Sequence, residues 1–233
     1  WSGLERLGFR GGTILEPGMG TGLFAVAAPS EIMERSKYTG VEMDKATARI
    51  ARHLLPESAI LNADFVKQKL PDFFDLAVGN PPFSSTKILD DPAYKKYRFL
   101  LHDYFFAKSL DKVRPGGLLV FVTSKGTMDK ADDKARKYMA GRADLLGAIR
   151  LPQTAFKQNA GTEVVTDVLF LRKRQPGEAP GGESWQERAE VKTPQGPALV
   201  NEYFARHPEM VLGEHSLQGS MYRADEYTVL PRG

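Results

Sequence analysis

Asn80-Pro81-Pro82-Phe83, at the end of the apolar run Phe73 to Val78, is the stretch of this chain whose residue types best suit a reaction. Asn80 offers a side-chain carbonyl, Pro81 a backbone carbonyl and Phe83 an aromatic face. Two acceptors at one place suit a planar exocyclic amine, a poor nucleophile because its lone pair is delocalised into the ring. If each carbonyl takes one amine hydrogen, the nitrogen is drawn toward a tetrahedral shape and its lone pair is freed to attack an electrophilic methyl group. No strong general base is needed before attack. Phe83 would stack on the base that carries the amine, worth about 1 to 3 kcal/mol, and offers no hydroxyl beyond that. Alone, Asn-Pro-Pro reads as a strand-ending turn, because proline stops a ladder and holds the residue before it extended. A second motif upstream makes the chemical reading the better one.

That motif is Leu15-Glu16-Pro17-Gly18-Met19-Gly20-Thr21-Gly22-Leu23-Phe24, in which a short apolar strand runs through a glycine turn into a helix. Glycines at 18, 20 and 22 let a ligand approach the backbone closely. Leu23 stands where the dinucleotide fingerprint wants glycine, which weakens a nicotinamide or flavin reading. In Gly40-Val41-Glu42-Met43-Asp44, Glu42 lies about twenty residues beyond the turn, the spacing at which a carboxylate accepts both ribose hydroxyls. Met43 belongs to the same candidate seat, whereas Asp44 is expected to cap the next helix. In Asn62-Ala63-Asp64-Phe65, Asp64 could accept from an adenine amine and Phe65 could cover its ring. Glu16 either takes the ammonium of the methyl donor or is merely held extended by Pro17.

Taken together, these residues resemble the amino-group DNA methyltransferases that use S-adenosylmethionine, in particular the adenine-specific class in which the donor motif precedes the catalytic one. The resemblance runs from about Gly11 to Lys173. Leu15 to Phe24 is similar to the first family motif, Gly40 to Asp44 to the second, Asn62 to Phe65 to the third and Asn80 to Phe83 to the fourth. Arg150-Leu-Pro-Gln-Thr-Ala-Phe156, followed by Asn159 to Phe170, is similar to the late region of restriction-enzyme methylation subunits and large methylase-helicase proteins, where an aromatic faces the flipped base. Phe156 is the candidate, with a core position as the competing reading. The resemblance implies a Rossmann-like seven-stranded mixed sheet, its last strand (Val164 to Leu171) antiparallel. It also implies S-adenosylmethionine as cofactor, DNA with a flipped adenine as substrate, and a larger parent protein that adds a target-recognition domain.

The elements needed to position these residues are legible. Apolar or β-branched runs at Thr13 to Leu15, Tyr38 to Val41, Ala59 to Leu61, Leu76 to Gly79, Leu118 to Thr123, Leu145 to Arg150 and Val164 to Leu171 alternate with helical stretches. That alternation predicts an α/β fold with helices on both faces of the sheet and ligands at the carboxyl ends of its strands. A helix is expected over Lys45 to Leu55, ended by Pro56. A second carries Phe99, Phe106, Leu110 and Val113 at helical spacing and ends at Pro115-Gly116-Gly117. Ser84 to Tyr97 shows no period and reads as a mobile loop beside the site. The predicted organisation is a methyltransferase domain over 1–174, then a linker and C-terminal arm over 175–233, too short for a core of its own.

Composition narrows the chemistry. The chain has 233 residues, no cysteine and a net charge of +3. Without a thiol there is no disulfide, no thiolate zinc site and no covalent adduct of the kind that ring-carbon methylation of cytosine requires, so an exocyclic nitrogen is the target expected of any base methylation. No run approaches the roughly eighteen apolar residues of a membrane span and no secretory pattern opens the chain, so the cytoplasm is expected. The histidines lack metal-ligand spacing, and no metal is predicted. Competing readings are methylation of the guanine amine in ribosomal RNA, methylation of a glutamine amide in protein, and a non-catalytic binding module acting through Lys125 to Arg150. That last stretch holds seven Lys or Arg against four Asp.

Overall fold

The computed structural model describes residues 1–156, 164–219 and 225–232. The strands in chain order are β1 (Thr13–Pro17), β2 (Lys37–Glu42), β3 (Ala59–Asn62), β4 (Phe74–Gly79), β5 (Val113–Ser124), β6 (Ala143–Leu151), β7 (Thr166–Lys173), β8 (Arg188–Thr193), β9 (Gly196–Asn201), β10 (Glu214–Gly219) and β11 (Glu226–Leu230). The helices are α1 (Ser2–Arg6), α2 (Leu23–Val26), α3 (Ser30–Glu34), α4 (Lys45–Leu54), α5 (Leu101–Lys112), α6 (Gly126–Asp129), α7 (Lys134–Ala140) and α8 (Glu202–Arg206). Seven strands form one mixed sheet in the order β3-β2-β1-β4-β5-β7-β6, with β7 antiparallel, as expected. β8 with β9 and β10 with β11 form two antiparallel hairpins.

The central strands are apolar on both faces, as parallel strands must be when helices cover them. In β4 five of six residues are buried, and in β1 four of five. β1 pairs in parallel with β2 and with β4, so the carboxyl ends of β1, β2 and β4 carry Pro17, Glu42 and Gly79 toward the same edge of the sheet. At the other end Asp75 accepts from the Thr13 N–H at 2.7 Å and from its hydroxyl at 2.9 Å, and also from Arg114 at 2.6 Å. α4 starts where predicted, since the Asp44 carboxylate accepts from the Thr47 N–H at 2.7 Å. The Thr47 side chain and its backbone N–H together hold the Asp44 carboxyl below its usual range.

Contacts gather the chain into two compact units: Trp1–Phe121 with Arg172–Gly177, and Val122–Leu171 with Glu178–Gly233. Residues from 175 onward, expected to form a linker and arm, carry four strands and α8. Trp185, Val200, Phe204 and Val229 are buried there, inside a unit shared with 122–171. The fully buried Arg150 organises that unit. It is bonded to Asp129 at 2.8 and 2.9 Å and to Asp167 at 2.7 and 2.8 Å, and it lies 4.1 Å over the Phe204 ring. Burial raises the Asp167 carboxyl to about 6 against the pull of Arg150.

The structure corrects two local expectations. Phe99 and Val113 were both counted on the α5 face, but Phe99 precedes the helix and Val113 opens β5, which runs on through Pro115-Gly116-Gly117 with a register shift opposite Phe74 to Leu76. Gly116, at φ 77°, allows that bulge. The Ser84 to Tyr97 segment was expected as a mobile loop. It is instead pinned by a bridge between Lys87 and Leu100 and by backbone bonds from Ile88 to Phe99 and from Leu101 to Thr86.

Candidate active site

β1 delivers the glycine turn. Gly18 has φ 63°, and a Cβ there would lie 3.2 Å from Phe105 Cε1 and 3.5 Å from Pro82 Cδ. The positive φ favours glycine and the Phe105 contact would be tight for any side chain, and the same distances show that the Asn80–Phe83 tetrapeptide abuts the turn. Gly20, at φ 59°, donates its N–H to Glu42 at 2.9 Å, while a Cβ there would meet open space. The turn is open on that side, the room a bound donor requires. Met19 supports it from beneath: it is 5% exposed, and a Cβ on Gly40 of β2 would overlap its sulfur.

Glu42 ends β2 half-exposed, one oxygen taken by the Gly20 N–H and the other by the Asp44 N–H at 2.7 Å. A carboxylate has about four acceptor positions, so two remain for hydroxyls. Met43 beside it is 72% exposed. Asp64 is half-buried and bonded through one oxygen to the Val66 N–H at 2.9 Å, which leaves the other oxygen for a ligand. Asn80 is exposed at the end of β4, Pro81 is buried, Pro82 is exposed and Phe83 is 43% exposed. The amide carbonyl and the aromatic face proposed for an amine are therefore both accessible.

Two predicted residues lie elsewhere than expected. Phe65 is 3% exposed and packs on Phe105 with ring centroids 4.7 Å apart, so its side chain does not stand over a ligand. An aromatic pair of this kind is worth about 0.5 to 1.5 kcal/mol beyond its burial, which favours the inward position. Glu16 is 2% exposed and accepts from the Tyr38 hydroxyl at 2.5 Å. Burial pushes its carboxyl up to about 8, against the Tyr38 bond, so it is mostly protonated at neutral pH. Phe156 is half-buried in a turn after β6, in the second unit. Most of the loop expected beyond it, 157–163 with Asn159, lies outside the described residues.

Sequence reasoning missed Phe105, Tyr104 and Lys108, all on α5. Lys108 donates to the Phe65 and Val66 carbonyls at 2.7 and 2.9 Å, and so fixes the chain that follows Asp64. Tyr104 donates to Asp91 at 2.7 Å. The run Tyr104-Phe105-Phe106 was the available signal, since it is too wide an aromatic arc for one core-facing stripe. A cleft of about 610 Å³ lies beside Lys108 between Val66–Leu70 and Asp90–Tyr94, and none of Gly18, Gly20, Glu42 or Asn80 lines it. Among the described residues no group of His, Asp and Glu could hold a metal, and no helix is long and apolar enough to cross a membrane.

With this geometry in hand, comparison with known proteins is informative. Residues 33–156 match the Eco57I restriction-modification methylase family, a stretch that contains Glu42, Asp64 and the Asn80–Phe83 tetrapeptide. The chain is 31% identical over 180 residues to the defense against restriction protein B of Escherichia phage P1, covering 74% of this chain and 8% of that protein. It is 28% identical over 221 residues to the type II methyltransferase M.CvrRI of Paramecium bursaria Chlorella virus XZ-6E, covering 91% of this chain and 54% of that one. The type I restriction-modification methyltransferase subunit of Streptococcus thermophilus superposes with a TM-score of 0.60 at 18% identity, covering 86% of this chain and 52% of that one, a likeness of fold. The chain thus spans about half or less of the length of these relatives. Matched over more than half of its own length, the chain belongs to the Eco57I restriction-modification methylase family.

Proposed function

We propose that this chain is the catalytic part of a DNA methyltransferase that modifies the exocyclic amine of adenine, within a longer cytoplasmic polypeptide whose other regions recognise the target sequence. The observation that carries this reading is the exposed Asn80 beside the open glycine turn, with Pro82 at van der Waals distance from the position above Gly18. The residues present fit the donor. Glu42 would accept from the ribose, Asp64 from the adenine amine, Met43 would cover the ring, and the Gly18–Gly22 backbone would follow the chain of the ligand. S-adenosylmethionine supplies an electrophilic methyl on a sulfonium when bound.

The rest is done by the protein. The Asn80 side-chain carbonyl and the Pro81 carbonyl would each accept one amine hydrogen and turn the nitrogen lone pair toward the methyl. Phe83 would stack on the extruded base and help offset the few kcal/mol of unstacking. Pro82 would fix the spacing between the two acceptors and that ring. A mostly neutral Glu16 does not attract the donor's ammonium by charge, so its proposed part is to hold Tyr38 and the end of β1 in place.

The test is to incubate the chain with labelled donor and separate pools of DNA, RNA and protein. Label is expected on DNA, and label confined to RNA or to protein rejects the adenine reading. Asn80→Ala should lower transfer by about 10²-fold or more with donor affinity unchanged, whereas Glu42→Ala should weaken the donor itself in calorimetry.

A further inference from the structure

The segment that follows Phe83 is a pinned lobe with its acid turned in and its bases turned out. Its base is closed by the Lys87–Leu100 bridge, and Tyr94 and Phe99 are buried beneath it. Inside, Asp91 accepts from the Tyr104 hydroxyl and lies 3.5 Å from Lys108, while Tyr94 donates to Asp111 at 2.7 Å. Burial opposes it, yet these bonds and Lys108 hold the Asp91 carboxyl below its usual range. Outside, Lys87, Lys95, Lys96 and Arg98 are all exposed, and none has a carboxylate partner among the described residues. Asp90 is the lobe's only other acid. Tyr97 stacks on Phe99 with centroids 5.0 Å apart and planes 5° apart, and Lys96 lies 5.0 Å over the Tyr97 ring. Arg98 sits at φ 54°, a left-handed conformation uncommon for a residue with a side chain.

Lysines on a free loop spread their charge by moving. Here all four cations are exposed on one lobe whose base is closed by the Lys87–Leu100 bridge, a positive surface that a polyanion would complement. A nucleotide presented to Asn80 and Phe83 brings its flanking phosphates to the chain that continues from Phe83. We infer that the lobe from Ser84 to Leu101 is a binding surface for the phosphate backbone of a nucleic acid, with Lys87, Lys95, Lys96 and Arg98 as its contacts. This rests on the proposed function for the position of the base, but the lobe's contacts read charge and not base identity.

The experiment measures binding of the whole chain to a labelled non-specific duplex DNA and to a single-stranded RNA by fluorescence anisotropy, across a salt series. Each phosphate contact contributes roughly 0.9 to the slope of log affinity against log salt on duplex DNA, and roughly 0.7 on single strands. The variant with all four residues changed to Gln should lose about 2 to 4 from that slope, and Lys95→Gln with Lys96→Gln about 1 to 2. Donor binding by calorimetry shows that each variant remains folded. A control pair on α4, Lys45→Gln with Arg49→Gln, removes exposed charge away from the lobe and should leave the slope unchanged. Slopes equal to wild type in both lobe variants, or an equal loss in the α4 control, overturn the inference. Transfer to DNA with an unchanged slope sinks the lobe and keeps the function. Label on RNA with a reduced RNA slope sinks the DNA reading and keeps the lobe.

Discussion

Two stretches of this chain look alike in composition and differ in what surrounds their charges. Lys125 to Arg150 holds more basic residues than the Ser84 to Leu101 lobe, yet its cations are largely consumed within the protein. Arg150 is closed between Asp129 and Asp167, Lys125 reaches Glu226 at 2.7 Å, Arg136 donates to the Thr127, Lys130 and Gln186 carbonyls, and Lys137 pairs with Asp133. The lobe has fewer bases, and among the described residues none of the four is paired with a carboxylate. Partnering, which sequence does not display, decides whether a basic run holds the fold together or faces a ligand.

Three substitutions test that contrast. Arg150→Met should cost the most, about 3 to 5 kcal/mol in urea unfolding, because it strands Asp129 and Asp167 without their cation. A loss near zero would mean that the triad contributes nothing net. Lys108→Met comes next. It removes a buried ammonium from two carbonyls and from Asp91, at about 1.5 to 3 kcal/mol, and it frees the chain after Asp64, so donor affinity should fall as well. Unchanged donor affinity would separate Lys108 from the donor site. Glu16→Gln should have the smallest effect near pH 5, where the buried carboxyl is neutral like the amide that replaces it. Folded Glu16 holds its proton up to about pH 8, whereas the unfolded chain releases it near 4.5. Wild-type stability should therefore fall as pH rises from about 5 to about 8, by at most roughly 1.4 kcal/mol per pH unit from this group. The variant should lose that slope, and identical pH profiles for the two proteins would place the group in water.

The sheet was largely legible because buried parallel strands are written as apolar runs, and Asp44 because a cap has a local signature. The late hairpins were not. β8, Arg-Ala-Glu-Val-Lys-Thr, alternates exposed charges with Ala189, Val191 and Thr193, but none of these is fully buried and the face they form is too small and too weakly apolar to announce a strand. Val113 fitted a helical period by coincidence of spacing, and nothing local marks the register shift that moves it into β5. At the site, Glu42, Asp64 and Asn80 lie at strand ends where spacing predicts them. Phe65 was misjudged because an aromatic after an acid reads the same whether it faces ligand or core, and its partner Phe105 is far away in sequence. The Asp91, Tyr104 and Lys108 junction was invisible for the same reason, since it joins residues whose proximity only the fold creates.

Gly40 and the thioether wedged above it carry a consequence for how this protein can fail. A strand of this kind tolerates a methyl group well, and the ladder between β1 and β2 would survive one. The Met19 thioether lies between the Cβ positions of Gly40 and Gly22, so displacing it presses on the bend that it props. A lesion of one carbon would thus raise the floor of the donor seat at an overpacking cost of about 1 to 3 kcal/mol, and an assay of cofactor binding would separate the lost fit from the lost stability.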